Sequence, residues 1–266
     1  MKINTKDWRF FVPLILGILI LVNSLIWIIL NGGRWFEFTT DPNGVLPNPK
    51  NGAHKVFGAA YMLAYFTVQT NLFLGVMFIV IALRPTAQSY SWFMGSNMLI
   101  SITFALYWTL LAPFNNPIEE WTSPYFVIST SFMHAINPIM GFVFLALLRH
   151  EILVNKRVLG LCALYMPIYF VFSAIVFGAG ATVVDGKLDG AVIYGFLNLQ
   201  KVFFIDTSAM PALGVFINLF VFLISAFLPI GISWIWIKVC KIETEEQSYF
   251  RWMDRCKTKL VNRKNR

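Results

Sequence analysis

Two residues in this chain are of types that together perform nucleophilic chemistry: Thr67, in the run FTVQTN (66–71), and His134, in SFMHAINPIM (131–140). A threonine hydroxyl is a weak nucleophile until a base removes its proton, and a neutral imidazole suits that task near neutral pH. Gln69 and Asn71 come within the next turn after Thr67, and Asn137 lies close to His134. Such amides could orient the imidazole or donate hydrogen bonds to a developing oxyanion. No Asp or Glu falls inside the apolar runs, so the unit would be a dyad. Each residue also has a plainer reading. Thr67 alone reads as a membrane-helix threonine bonded to its own backbone. Gln69 and Asn71 read as interhelical glue. His134 reads as a packing polar residue, and Trp108, Tyr165 and Tyr169 as packing or interfacial aromatics.

His134 stands out by depth and by its neighbour. It is the only Asp, Glu, Lys, Arg or His in the body of any apolar run, where such a group is expensive and by default functional. Pro138 follows four residues later and has no N–H to give, so the His134 carbonyl loses its usual helical partner and the helix is expected to bend.

The elements that must position these residues are set by composition. The chain is 58% hydrophobic, 17% aromatic and only 13% charged. A soluble domain would be nearer ~25% charged. Runs of about 20 apolar residues mark membrane-spanning helices, and the sequence reads as an all-α, polytopic bundle of six. Their expected ranges are 10–30, 57–83, 91–113, 125–148, 158–179 and 211–237, with Pro167 expected to kink the fifth. The first is read as a retained span, because a signal peptide has a shorter core and a small-residue cleavage site. Residues 31–56 carry the turn chemistry of an exposed loop, and 180–210 form a mixed polar and aromatic segment with a partly re-entrant character. The division is a six-span membrane domain, 1–240, and a basic cytoplasmic tail, 241–266.

Charge placement orients the bundle. The net charge is +8, and most of the 21 Lys and Arg fall on one side if both termini lie together. The positive-inside bias makes that side cytoplasmic. Under this topology Thr67 lies ten residues into the second span and His134 nine into the fourth. At ~1.5 Å per residue both sit roughly 13–15 Å below the outer surface, where a hydroxyl and an imidazole can meet. In the tail, Arg251, Arg255, Lys257 and Lys259 alternate with Trp252, Cys256 and Leu260, a pattern suited to an anionic leaflet. A disordered basic end is the alternative, and RNA binding ranks last. The three cysteines have neither CxxC nor metal-knuckle spacing.

FTVQTN at 66–71, the Met133–His134 pair ahead of Pro138, and NKR followed by ALYMPIYFVFS resemble one family. It is the androgen-induced (FAR-17a-like) integral membrane protein family, with its bacterial-type members. The resemblance covers about residues 10–240 and implies six spans. It also implies hydrolysis of fatty acid esters of hydroxy fatty acids by a membrane-embedded Thr and His, which fall on Thr67 and His134. The family's Tyr-Pro-rich stretch before the last span appears here as IYGFLNL, Ile193–Leu199, without proline.

Three functions of different classes follow. The first is an intramembrane lipid ester hydrolase acting on a lipid-like substrate that enters from the membrane lipids. The second is a transporter or channel for a small neutral or lipid-like molecule, and the third a scaffold that recruits partners through its tail. No GxxxxGK[ST], HExxH, histidine box or GxSxG occurs, so NAD, nucleotide and metal cofactors are not implied, nor is a nucleic-acid partner. Richness in Phe, Ile, Asn and Lys fits an A+T-rich coding source and favours the cell membrane.

Overall fold

Where no water reaches the backbone, N–H and C=O groups must pair within the segment, and long apolar runs therefore fold as helices. In the computed structural model, which describes residues 7–40, 52–114, 124–184, 187–201, 205, 207 and 209–245, they do so. Among the described residues, six helices are long and apolar enough to cross a membrane: Trp8–Asn31, His54–Leu83, Ala87–Leu111, Val127–Leu147, Lys156–Ala179 and Pro211–Cys240. The tail residues Arg251, Arg255, Lys257 and Lys259 lie outside the described residues.

In chain order, α1 is Trp8–Thr40 and α2 is His54–Phe57, which runs into a 3₁₀ stretch, Gly58–Ala64. Next come α3 (Phe66–Leu83) and α4 (Ala87–Leu106), the latter continuing through a π-helical turn, Tyr107–Leu111, to Phe114. The fourth span is α5 (Pro124–Ser131), a second π-helical turn (Phe132–Ile136) and α6 (Asn137–Leu147). After β1 (Leu153–Val154), α7 (Lys156–Ala179) continues through Pro167 without a break. The antiparallel pair β2 (Thr182–Val184) and β3 (Lys187–Asp189) leads to a 3₁₀ turn at Gly195–Leu197. Then follow α8 (Pro211–Cys240) and β4 (Glu243–Thr244), which pairs in parallel with β1.

The second span departs from expectation. It is not one helix but two pieces separated at Tyr65, whose extended backbone (φ −76°, ψ 129°) interrupts the helical dihedrals. Gly58 at φ 54° makes the earlier change from α to 3₁₀, a conformation that costs glycine little. The seven 3₁₀ residues rise ~2.0 Å each, which carries Thr67 a few ångströms deeper than an unbroken α-helix would. The sixth span also runs on past Ile237 to Cys240. There Lys241, in the left-handed region, sends its N–H back to Ile237 O and Lys238 O and turns the chain into β4.

Small residues and aromatic stacks hold the bundle. Gly17 on α1 faces Gly75 on α3 so closely that a Cβ on Gly17 would lie 2.7 Å from the Gly75 carbonyl oxygen. Such close approach maximises dispersion contact where lipid leaves little hydrophobic drive between helices. Phe78 meets Phe93 and Phe144 edge-on, with centroids 5.0 and 5.3 Å apart. The outer faces are apolar: Ile29, Val215 and Phe227 are 68%, 70% and 67% exposed, which suits a hydrocarbon surround rather than water.

Both described ends of the chain meet at one end of the bundle. Arg9 Nη1 lies 3.0 Å from Glu151 Oε1, and Asn155 Nδ2 donates to Glu245 Oε1 at 3.0 Å. Ser91 Oγ donates to Leu153 O at 2.7 Å, tying the start of α4 to the same corner.

Candidate functional site

The break at Tyr65 makes a helix start deep inside the bundle. The first N–H groups of any helix lack intrahelical acceptors, and Tyr65 supplies no side-chain cap. Two tyrosines from later in the chain do. Phe66 N–H donates to Tyr169 Oη at 3.1 Å, and Thr67 N–H donates to Tyr194 Oη at 3.1 Å. Tyr169 Oη in turn donates to Ala64 O at 2.8 Å, so one hydroxyl bridges both sides of the break. Tyr194 Oη also lies 3.1 Å from Thr67 Oγ1. The segment carrying Tyr194 is held deep in the fold, with Ala191, Ile193, Tyr194 and Phe196 all buried. It reaches Thr67, in keeping with a segment that turns back into the bundle.

His134 sits in the middle of a π-helical turn. Asn137 N–H bonds Phe132 O, five residues back. The opposing turn on the third span has the same form, with Ala112 N–H on Tyr107 O. Each π turn ends two residues ahead of a proline, Pro138 and Pro113. The wider turn accommodates the ring and the missing donor, and such turns recur at functional sites. The carbonyl that Pro138 frees on His134 is taken by Trp108 Nε1, which donates to it at 3.0 Å. The imidazole stacks on Tyr107, with centroids 3.7 Å apart and planes inclined by 14°. Its Nδ1 is buried and has no hydrogen-bond partner among the described residues.

Between the two sites stands a pair of amides. Asn71 Nδ2 donates to Thr67 O at 2.8 Å and to Met133 O at 3.1 Å. Asn137 Nδ2 donates to Asn71 Oδ1 at 2.8 Å. These bonds join the threonine turn of α3 to the histidine turn of the fourth span. Gln69 works elsewhere: its Nε2 donates to Leu63 O at 2.7 Å, and its Oε1 accepts from Tyr165 Oη. Thus Asn71 and Asn137 converge between Thr67 and His134, while Gln69 fastens α3 to α7. None of these hydrogen bonds links Thr67 directly to the imidazole.

A cavity of about 80 Å³ opens at the start of α3. Its described polar lining residues are Thr67, Thr103, Tyr107, Tyr169, Tyr194 and Ser225, and α7 and α8 supply apolar side chains including Phe170 and Leu228. Since ~10–15 Å³ on such a measure holds one water, there is room for several waters or a length of hydrocarbon chain. His134 is not among the lining residues; Tyr107 is, and it touches both the cavity and the imidazole.

Sequence reasoning singled out Thr67, His134, Asn71 and Asn137 as candidates, and did not single out Tyr107, Trp108, Tyr169 or Tyr194 as their hydrogen-bond or stacking partners. The aromatics of YMPIYF and IYGFLNL were the available signal, since a buried tyrosine hydroxyl needs a partner. Among the described residues, no three His, Cys, Asp or Glu side chains gather as a metal site would require. Comparison of the chain with protein-family models, with curated proteins and with solved structures finds no match.

Proposed function

We propose that this chain is a multi-pass cell-membrane protein with both termini cytoplasmic, akin to the FAR-17a-like family, that hydrolyses lipid esters within the bilayer. The observation that carries this reading is the environment of Thr67. Thr67 lines an apolar cavity, at an internal helix start, with a tyrosine hydroxyl 3.1 Å from its own. When Tyr194 Oη donates to Thr67 Oγ1, the threonine's own proton is free to leave toward a base, and the phenol stabilises the alkoxide that develops.

In this mechanism Thr67 Oγ1 attacks the ester carbonyl carbon and gives its proton to His134. The tetrahedral oxyanion collapses, the ester C–O bond breaks, and the leaving alkoxide takes that proton and departs as an alcohol. Water then attacks the acyl-threonine, again losing a proton to His134, and the fatty acid leaves as Thr67 is restored. Tyr107, in contact with both cavity and imidazole, is the side chain that must yield for His134 to reach the reacting atoms.

The internal helix start also favours a second reading. Broken spans whose half-helix ends face a central cavity are how many carriers bind cargo. A transporter of a neutral amphiphile would use the same cavity without covalent chemistry.

One experiment separates the two. The full chain in membranes is labelled with a lipid-like fluorophosphonate, beside Thr67→Ala and His134→Ala. Hydrolase chemistry requires labelling that disappears in both variants. Labelling retained in Thr67→Ala overturns the hydrolase reading, and substrate-dependent flux in proteoliposomes without ester cleavage establishes the carrier.

A further inference from the structure

We propose that the groove between α8 and the connection carrying Leu199 and Gln200 is the water inlet of the Thr67 cavity, and that Phe170 is the valve between them. This deepens the proposed function and rests on that cavity being the working site.

Hydrolysis requires such an inlet. Each turnover consumes one water: its oxygen joins the acyl carbon as the bond to Thr67 Oγ1 breaks, and one of its protons restores the threonine hydroxyl. One side of the cavity faces hydrocarbon instead. Ile224 lines the cavity and is 41% exposed, near the middle of the 30-residue α8, at a depth where a bilayer holds almost no water. That side suits the lipid. The water has to arrive from elsewhere.

The groove lies at the end of the span, where the bilayer gives way to water. Pro211, Gly214 and Asn218, in the first turns of α8, line it with Gln200 and Thr207, and its volume is about 600 Å³. Asn218 Nδ2 donates to Leu199 O at 2.9 Å and to Gly214 O at 2.8 Å, which holds the connection against the helix. Both of its N–H groups are thereby used, while its Oδ1 is buried and has no hydrogen-bond partner among the described residues. A buried amide oxygen of this kind calls for a donor, and water in the groove supplies one. The Gln200 side chain makes no hydrogen bond to another described residue, so its amide offers water a further donor and acceptor.

Groove and cavity abut. Along α8, Gly214 and Asn218 line the groove, and Val221 and Ser225 line the cavity. Spacings of three and four residues put them on one helix face, and Asn218 is only ~4.5 Å along the axis from Val221. Phe170 lines both spaces, and its ring meets Phe222 edge-on with centroids 5.8 Å apart. Apolar side chains that narrow a passage gate it by dewetting, so water passes when the rings part. Beyond them it meets the hydroxyls of Tyr194 and Thr67.

The test is X-ray radiolysis of the full chain in lipid nanodiscs. Hydroxyl radicals form from the water present at each site, and oxidised side chains are mapped by mass spectrometry. Met166 and Tyr194 report the cavity, and Leu219 reports the groove. Met94 and Met98, both 0% exposed and outside the cavity lining, set the dry level. Phe170→Trp should bring Met166 and Tyr194 down to that level and leave Leu219 unchanged, whereas Phe170→Ala should raise both cavity residues above the native chain. A fluorophosphonate needs no water to react with Thr67, so its labelling should survive Phe170→Trp; loss of that labelling assigns Phe170 to the site itself and overturns the valve. Cavity residues at the dry level in both the native chain and Phe170→Ala, or above it and unmoved by either variant, overturn the proposal. Cavity oxidation that follows Phe170 without Thr67-dependent labelling overturns the hydrolase reading alone; Thr67-dependent labelling with a dry cavity in Phe170→Ala overturns this inference alone.

Discussion

Tyr194→Phe is the sharpest perturbation the structure offers, because one hydroxyl serves two atoms of Thr67. Removing it leaves the buried Thr67 N–H without an acceptor, which costs ~1–3 kcal/mol. It also removes the 3.1 Å bond to Thr67 Oγ1, for a further ~0.5–1.5 kcal/mol. The single variant should therefore lose ~2–4 kcal/mol. Thr67→Ala keeps the N–H bond and loses only the hydroxyl and a little packing, ~1–2 kcal/mol. In the double variant the N–H loss recurs unchanged and cancels, so the cycle isolates the hydroxyl pair. The coupling should fall near ~0.5–1.5 kcal/mol, a range that includes the ~0.6 typical of membrane hydrogen bonds. The assay is equilibrium unfolding of the full chain in mixed micelles titrated with a denaturing detergent. A coupling of zero, or a Tyr194→Phe cost below ~0.5 kcal/mol, would refute the view that this phenol both caps α3 and holds the threonine hydroxyl.

Asn71→Leu removes bonds to Thr67 O and Met133 O and orphans Asn137 Nδ2, so it should cost ~3 kcal/mol or more in the same unfolding assay. It should also suppress fluorophosphonate labelling. Gly95→Ala places a Cβ 2.4 Å from Cys162 Sγ and forces α4 from α7, at ~1–3 kcal/mol; adding Cys162→Ala should recover part of that loss. Asp7 is held below the ordinary carboxylate range first by the Arg9 backbone N–H and then by its guanidinium. A depressed folded pKa gives a contribution that is present above the ordinary carboxylate pKa and lost as pH falls through the folded value. Hydrogen-exchange protection at the start of α1, measured against the intrinsic rate at each pH, should therefore fall on acidification below ~pH 4, and Asp7→Asn should remove that dependence.

The six spans were legible because long apolar runs fold as helices, and their ends differ from expectation by a few residues, except that α1 continues to Thr40, into the first part of the stretch 31–56 read as an exposed loop. The break at Tyr65 was not. Between Gly58 and Phe66 there is no proline or charge, and the interruption is stabilised by tyrosines more than a hundred residues further along. Local pattern cannot report a cap that arrives from another helix. His134 was found because a lone ionisable side chain among apolar residues is conspicuous, and Pro138 pointed correctly to a freed carbonyl. That Trp108 would fill it, and that Tyr107 would cover the imidazole, depends on how the third and fourth spans pack. Asn71 and Asn137 read as possible partners of the histidine ring; in the fold they join backbone turns instead.

The capping of α3 has a consequence for the time order of synthesis. Thr67 leaves the ribosome 127 residues ahead of Tyr194, and Phe66 leaves 103 ahead of Tyr169. At ~5–20 residues per second, the Thr67 amide waits roughly 6–25 s for its acceptor. Throughout that interval the second span is already made but its internal helix start is unsealed. The first two spans can associate through the Gly17–Gly75 contact, yet the pocket around Thr67 cannot close until the fifth span and the segment after it have been added. A chain truncated before residue 194 would therefore lack the acceptor for the Thr67 amide and leave the start of α3 unsealed.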